Sequence, residues 1–211
     1  MIRKLIVVIL VFNVTACAEL QGVIDQLPQG GAVTNTEIAS GLRQALDFGI
    51  DKQVTKLTQE NGFYKNELVK ILLPEELRKV DKALRDIGLG NLADEGSKGL
   101  NRAAEDAVKE ATPVFVNAVK EITFADAKNI LLGNDDAATQ YLTTRTQTEL
   151  YNKFQPVINA SFSKVGADQI WTNLINRYNA IPFTSNVNPD LTDYVTGEAL
   201  KGVYTMIAVE E

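Results

Sequence analysis

The sequence predicts an all-α protein, a single-domain multi-helix bundle with a central helical hairpin around Gly133. Apolar residues recur at intervals of three and four along most of the chain, as expected when one face of each helix is buried. Residues that begin and end helices stand between these periodic stretches. The chain has 211 residues, of which 45% are hydrophobic and 23% are charged, and this composition suits one globular core.

The first helix of the domain is expected from Thr36 onward, with Thr34 and Asn35 as candidates for its cap. The pair Asn61-Gly62 is typical of a helix end, so this helix should run for about six turns. Its apolar residues are spaced to share one face: Ile38, Leu42, Leu46, Ile50, Val54 and Leu57.

The next stretch, residues 63–73, is the least periodic of the ordered chain, and we expect extended coil packed on helices there. A short strand over 68–73 is the alternative, although it would have no obvious partner. Pro74 predicts the start of a second helix and Gly88 predicts its end. Residues 91–111 alternate small and charged side chains. Because alanine lets helices approach closely, this segment is expected inside the bundle.

Two helix starts introduce the central hairpin. Thr112 precedes Pro113, a pair that predicts a capping hydroxyl followed by proline at the first helical position. Thr123 stands three residues before Asp126, which is the spacing of a capping box with a carboxylate at its second position. Each pair therefore predicts the start of a separate helix.

A helix end and a further helix start follow within a few residues. Gly133 comes after two leucines and is expected to be the left-handed residue that ends the first arm of the hairpin. Asn134, Asp135 and Asp136 are expected to cap the second arm, with negative charge at the positive end of the helix. These signals together predict the helical hairpin.

The second arm reaches Pro156, which either kinks it or starts a new helix. Short helices are expected over 157–165 and 169–179, the latter capped by Asp168. After a polar loop, Asn188 is expected to cap a last helical region. This region continues to Glu211 without a glycine or proline, so the protein either ends abruptly there or is a truncated form.

The N-terminus has the pattern of an exported lipoprotein. Arg3-Lys4 precedes an apolar run over 5–12 that is too short to cross a bilayer, which is typical of a signal peptide. Residues 14–17, Val-Thr-Ala-Cys, resemble the bacterial lipobox, so we expect lipidation of Cys17 and removal of residues 1–16. A plain secretory signal with an incidental cysteine is the alternative. Residues 17–35 then form a flexible tether, and residues 36–211 form the helical domain.

This resemblance also implies a location. An inner-membrane retention signal would place aspartate after the cysteine, whereas Ala18 stands there. By resemblance to Gram-negative lipoproteins, the protein is expected in the cell envelope, lipid-anchored at the periplasmic face of the outer membrane. Its expected partners are the membrane, reached through the N-terminal lipid, and a protein in the periplasm.

Composition excludes several kinds of chemistry. The chain has no histidine and one cysteine, so it lacks the commonest general base, His-based metal sites and Ser-His-Asp or Cys-His nucleophiles. We expect no catalytic residue, no cofactor and no metal. The net charge of -6 without a basic stripe argues against nucleic acid as a partner.

The sequence contains one candidate ligand or partner site, and its residues are polar. Arg145 and Arg177, with Tyr141 and Tyr178, could form an anion-binding pocket, because Arg presents a planar fork to carboxylate or phosphate. The alternative is that the arginines are partners of helix-start carboxylates such as Asp126.

Two further constellations have simpler explanations. Asp126, Asp135 and Asp136 could suggest a metal site or an acid/base pair, but capping explains all three better. Trp171 is expected to be a core residue rather than a ligand platform.

Five short segments together carry a family resemblance: Gly41–Leu46, Leu73–Leu77, Phe124–Ala127 with Ile130–Gly133, Asp136–Tyr141 and Arg177–Asn179. They resemble the bacterial domain-of-unknown-function family 4197. The resemblance runs from about Thr36 to the C-terminus and implies an all-helical domain in exported, often lipoprotein-like proteins, without an activity. Family members usually continue beyond the point where this chain stops, which favours the truncated form.

Three functional classes follow from these observations. The first is an envelope lipoprotein with a non-enzymatic binding or scaffold domain, because nothing catalytic stands out. The second is a carrier of an apolar ligand such as a lipid, which would need an enclosed cavity between helices. The third is a histidine-free enzyme that uses carboxylates, Tyr and Arg, which would need two carboxylates in one cleft.

Overall fold

A computed structural model describes residues 34–86, 88, 90–165, 167–180 and 190–211. The chain divides into two units, Met1–Glu37 and Ile38–Glu211, and the packed helices belong to the second. Within the described residues there are eight helices and no strand, so the predicted all-α multi-helix fold is confirmed. The helices are α1 (Asn35–Thr58), α2 (Glu75–Asp86), α3 (Gly90–Val108), α4 (Ala111–Lys120), α5 (Phe124–Leu131), α6 (Ala137–Val165), α7 (Ala167–Asn179) and α8 (Thr192–Ala208).

The core forms around α6, which contacts α3, α4, α5, α7 and α8. Its buried side chains recur along one face, at the spacing that the sequence predicts for a helix packed on neighbours. The largest fully buried side chains of the described core come from every part of the domain: Phe63, Phe115, Phe154, Leu57, Ile71, Leu77, Leu100, Ile122, Leu142, Leu150, Ile158 and Ile175.

Helix α1 begins with a capping box that the sequence only partly predicts. The Glu37 backbone N–H donates to the Thr34 hydroxyl at 3.2 Å, and the Thr34 N–H donates to the Glu37 carboxylate at 2.8 Å. Thr34 is therefore the cap, as one of the two expected candidates. Beyond the other end, Asn61 has φ 64° and Gly62 has no room for a Cβ, which would lie 2.4 Å from the Lys56 carbonyl oxygen.

Residues 63–73 contain no strand and no helix, as predicted, but they are not extended throughout: turns occupy 63–65 and 67–69, and the backbone is irregular at 66 and over 70–73. Asn101 of α3 replaces a partner strand for this segment. Its side-chain oxygen accepts from the Ile71 N–H at 2.8 Å, and its amide nitrogen donates to the Ile71 carbonyl at 2.9 Å. The coil is thereby fixed to α3 without a sheet.

The next two helices agree with the predictions from the sequence. Helix α2 begins just after Pro74, and Gly88 has φ 81°, the left-handed conformation expected of a glycine after a helix. Helix α3 is internal, and its alanines Ala103, Ala104 and Ala107 are fully buried. Close approach is tightest beside Gly96, where a Cβ would lie 2.6 Å from the Trp171 ring.

Helix α4 begins earlier than predicted. Its first residue is Ala111, and Glu110 precedes it in a helical conformation without a side-chain cap, so Thr112 is not the N-cap and Pro113 is not the first helical residue. Proline is tolerated at the third position because the first four N–H groups of a helix have no partner within it. The earlier start places Ala111 in the core, where it is fully buried.

The hairpin consists of α5 and α6, which contact each other across a short connection. The predicted capping box at the start of α5 is confirmed: the Asp126 N–H donates to the Thr123 hydroxyl, and Thr123 donates in return to the Asp126 carboxylate. Arg43 of α1 also holds this junction, since its Nε donates to the Ile122 carbonyl at 3.1 Å. The start of α5 is thus fixed from both sides.

The predicted role of Gly133 is wrong. Its φ is not in the left-handed region, where Gly88 is the one glycine among the described residues. Glycine is required for space instead. A Cβ would lie 2.6 Å from the Ala137 Cβ and 2.8 Å from the Asn129 carbonyl oxygen, because the chain folds back tightly between the two helices.

The cap of α6 also differs from the prediction. The backbone N–H groups of Ala138 and Thr139 donate to the carboxylate of Glu211, at 2.6 and 3.1 Å, rather than to a side chain of residues 134–136. Asp136 accepts from the Gln140 side chain at 2.7 Å, one turn further on. A carboxylate from the far end of the chain therefore satisfies the start of the longest helix.

Helix α6 continues through Pro156 to Val165, so the proline does not start a new helix and 157–165 is not separate. Pro156 and Asn152 are both exposed, so water can solvate the Asn152 carbonyl that proline leaves without a donor. Helix α7 begins at Ala167, which puts Asp168 inside its first turn rather than at the cap. Residues 1–33 and the predicted Asn188 cap lie outside the described residues, as does Cys17.

Candidate binding cleft at the hairpin

Three of the five predicted site residues meet in one cleft between α5 and α6. Asp126 comes from the first turn of α5, whereas Tyr141 and Arg145 lie one turn apart on α6. The cleft is open to solvent and has a volume of about 370 Å³. It is lined by Asp126, Asn129, Ile130, Ala137, Gln140, Tyr141, Thr144 and Arg145.

Helical spacing explains why these side chains share the cleft. On α5 the lining residues are separated by three and four positions, and the same spacing recurs on α6. The charged and aromatic residues of the cleft were predicted from the sequence, whereas Asn129, Gln140 and Thr144 were not. Their positions relative to Asp126 and Tyr141 on the two predicted helices were the signal that could have identified them.

Arg145 stacks on an aromatic ring instead of pairing with a carboxylate. Its guanidinium carbon lies 5.4 Å from the centroid of the Tyr141 ring. No carboxylate of the described residues lies within 4.0 Å of its nitrogens, so the alternative of a direct ion pair with Asp126 is not observed. The guanidinium is exposed and keeps its fork of donors available.

Tyr141 provides the ring that the Arg145 guanidinium contacts. Its ring is partly buried against the core, and its hydroxyl oxygen is buried without a hydrogen-bond partner among the described residues. Burial raises the pKa of Tyr141, the charge of Asp126 acts in the same direction, and Arg145 opposes both. The phenol therefore stays neutral at physiological pH and offers an uncharged face to the guanidinium.

Asp126 is already engaged within its own helix. One carboxylate oxygen accepts from both the backbone N–H and the hydroxyl of Thr123, at 2.9 and 2.7 Å. These hydrogen bonds lower the pKa of Asp126, and the positive charge of Arg145 adds to the effect. Asp126 therefore contributes a fixed negative charge at one side of the cleft.

Asp135 and Asp136 do not line this cleft. Asp135 and Asp136 lie in the connection before α6 and are exposed. No three metal-ligating side chains come together among the described residues. Arg177 and Tyr178 lie on α7, but their side chains fall outside the described part of the chain. Trp171 is 2% exposed and packs in the core, as expected.

Exposed leucines follow directly from the cleft at the end of α5. Ile130 lines the cleft, whereas Leu131 is 55% exposed and Leu132 is 76% exposed. Large apolar side chains that stay exposed to water do not gain the free energy of burial and do not add to the core. They extend the polar cleft into a small apolar surface at the tip of the hairpin.

A second cleft, of about 320 Å³, was not predicted. It lies between the 67–72 coil, α2 and α8, and two exposed leucines, Leu68 and Leu72, belong to it. The Tyr194 hydroxyl donates to the Leu72 carbonyl at 2.7 Å and fixes one side. Charged residues of both signs surround it, among them Lys70, whose ammonium lies 4.5 Å from the Tyr64 ring centroid.

Within the described residues, no helix combines the length and the apolar character that a membrane span requires. A family described as "Protein of unknown function (DUF4197)" matches residues 32–211. No curated protein and no solved structure matches the chain. The family match covers the whole helical domain, including both clefts.

Proposed function

This chain belongs to the DUF4197 family, and we propose that it is a lipid-anchored envelope protein whose helical domain is a non-enzymatic module that binds a partner protein at the hairpin. The observation that carries the proposal is the surface at the end of α5. There an open cleft with a free guanidinium adjoins two exposed leucines, Leu131 and Leu132.

The composition of this surface supports protein binding. Interfaces combine apolar anchors with aromatic and arginine side chains, and these residue types contribute most of the binding energy at measured interfaces. The hairpin provides two exposed leucines at the end of α5, together with Tyr141 and Arg145 in the neighbouring cleft. The capping box of α5 and the tight turn at Gly133 hold them in fixed positions, which lowers the entropy lost on binding.

The two alternative functions have less support. A lipid carrier needs an enclosed apolar cavity, whereas the two clefts described above are open to solvent and charged side chains line both. An enzyme with carboxylate chemistry needs two carboxylates in one cleft. Glu67 and Glu198 both line the second cleft, where Glu198 is already paired with Lys201 at 3.7 Å. The hairpin cleft contains one, Asp126, and its hydrogen bonds to Thr123 lower its pKa and so weaken it as a base.

Site-specific photo-crosslinking in the native host tests the binding role. A benzophenone amino acid at position 132 is compared with the same amino acid at position 159, which is exposed near the far end of α6, away from the α5–α6 connection. We expect a discrete crosslinked protein from position 132 and not from position 159. Identical products from both positions would contradict a partner site at the hairpin.

The anchor is tested separately through Cys17. A lipobox cysteine becomes acylated, and several acyl chains hold a protein on a membrane at about 0.8 kcal/mol per buried methylene. The wild-type protein should therefore fractionate with membranes and carry lipid on Cys17, while Cys17→Ser should lose the lipid. Recovery of wild-type protein with an unmodified Cys17 from the soluble fraction would refute the anchor.

A further inference from the structure

We propose that the hairpin cleft binds a carboxylate group next to an apolar side chain, with Arg145 as the group that receives the carboxylate. This inference rests on the proposed binding function and specifies its chemistry. It starts from an arginine that is positioned by an aromatic ring and not neutralised by a carboxylate of the described chain.

The geometry of Arg145 favours a planar oxyanion. Contact with the Tyr141 ring restricts the Arg145 side chain, so less side-chain entropy is lost when the guanidinium forms paired hydrogen bonds. A carboxylate can accept two parallel N–H donors from such a fork. Asn129 and Thr144, which line the same cleft, place further polar groups around the guanidinium.

The charge around the cleft selects carboxylate over phosphate. Asp126 stays ionised in the capping box, and the whole chain has a net charge of -6. A dianionic phosphate would be repelled more strongly by this surrounding charge than a monoanionic carboxylate. Arg145 and Asp126 together leave the cleft without net charge, so a ligand with one negative charge is opposed less than a ligand with two.

The apolar part of the ligand has its own place. Ile130 and Ala137 line the cleft between the two helices, and Leu131 follows at the exposed end of α5. A ligand whose carboxylate meets Arg145 can therefore rest a branched aliphatic side chain on these residues. Two sources have this chemistry: a free small carboxylic acid and the C-terminal residue of a peptide.

Isothermal calorimetry measures the binding of N-acetylleucine and of N-acetylleucinamide to the full-length chain in detergent. The two ligands differ only in that the second has an uncharged amide in place of the carboxylate. We expect saturable binding of N-acetylleucine and at least tenfold weaker binding of the amide. Inorganic phosphate should also bind at least tenfold more weakly. Equal affinity for the amide, or tighter binding of phosphate, would overturn the inference.

Variants identify the residue. Arg145→Gln should weaken N-acetylleucine binding at least tenfold, and Arg145→Lys should recover part of the loss because it keeps the charge without the fork. Arg78→Gln is the matched control, since Arg78 is an exposed arginine that lines the second cleft. Circular dichroism melts check that each variant is folded. A folded Arg145→Gln with unchanged affinity would refute the assignment.

A pentapeptide ending in leucine, with a free or an amidated C-terminus, separates the two sources. Binding of the free peptide at least tenfold tighter than N-acetylleucine assigns the site to a protein C-terminus, whereas equal or weaker binding assigns it to a small carboxylic acid. The crosslinking test at position 132 remains independent. A crosslink that persists in Arg145→Gln, together with unchanged N-acetylleucine affinity of that variant, would retain the partner-binding function and contradict this inference alone.

Discussion

Asn101 provides the most direct test of how the irregular segment before α2 is held. Its side chain is fully buried and forms three hydrogen bonds: two with Ile71 and one from its amide nitrogen to the Ser97 carbonyl at 2.9 Å. The two bonds with Ile71 satisfy the N–H and the C=O of a residue that is itself 1% exposed. No strand is available to replace them.

The expected cost of Asn101→Ala follows from the groups that it leaves without partners. A buried backbone donor or acceptor without a hydrogen bond costs about 1–3 kcal/mol, and the substitution creates one of each at Ile71. Partial solvation through the space left by the side chain offsets some of this penalty. We therefore expect a loss of about 2–4 kcal/mol, a large part of the ~5–15 kcal/mol typical for a domain.

Urea denaturation followed by circular dichroism measures this loss, with Asn152→Ala as the control. Asn152 is exposed on α6, so its substitution should change the free energy of unfolding by no more than about 0.5 kcal/mol. Asn101→Asp adds a test of the donor. Its carboxylate cannot donate to the Ile71 carbonyl, but its protonated form can, so this variant should regain stability as the pH falls. A cost below about 1 kcal/mol for Asn101→Ala would refute the reasoning.

Three further changes test other contacts by the same denaturation assay. Gly133→Ala should destabilise by about 1–3 kcal/mol because its Cβ overlaps Ala137, whereas Gly41→Ala, with nothing within 4 Å, should stabilise by about 0.5–1 kcal/mol; equal effects would contradict the close approach. Burial raises the pKa of Glu105, although the Phe63 N–H and other backbone donors oppose it, so its folded form binds the proton more tightly than its unfolded form. Stability should therefore decrease as the pH rises from the ordinary glutamate pKa through the raised one, and Glu105→Gln should lack this decrease. Glu211→Ala should cost about 1 kcal/mol through the lost cap of α6, while Asn134→Ala, whose side chain caps nothing, should cost less than half of that.

The sequence predicted the features that depend on neighbouring residues. Periodicity located the helices, and the capping box at Thr123 and Asp126 was identified because both of its partners lie within one turn. The coil over 63–73 was predicted from its lack of periodicity. The reason for its conformation was not, because Asn101 lies 30 residues away from Ile71. Nothing in a local pattern indicates which polar side chain will replace a partner strand.

The errors have two physical causes. A left-handed φ was predicted for Gly133 because glycine after a helix commonly adopts that conformation. Glycine also lets two chain segments approach closely, and this is its role at position 133. The separate helix expected over 157–165 is wrong because α6 continues through Pro156, where the carbonyl that proline leaves without a donor is exposed. In the cleft, three residues could be selected by charge and aromaticity, whereas the neutral Asn129 and Thr144 gave no such signal.

The cap on α6 connects the C-terminal residues to the proposed site. Glu211 binds the N–H groups of Ala138 and Thr139, and the cleft residues Ala137, Gln140 and Tyr141 lie on the same first turns. Glu210 next to it bonds to Lys52 of α1 at 2.7 Å. The end of α8 therefore joins α1 to the helix that carries Arg145. Because the start of a helix frays when its N–H groups lose their partners, the position of Tyr141 under the guanidinium depends on a residue that does not itself line the cleft.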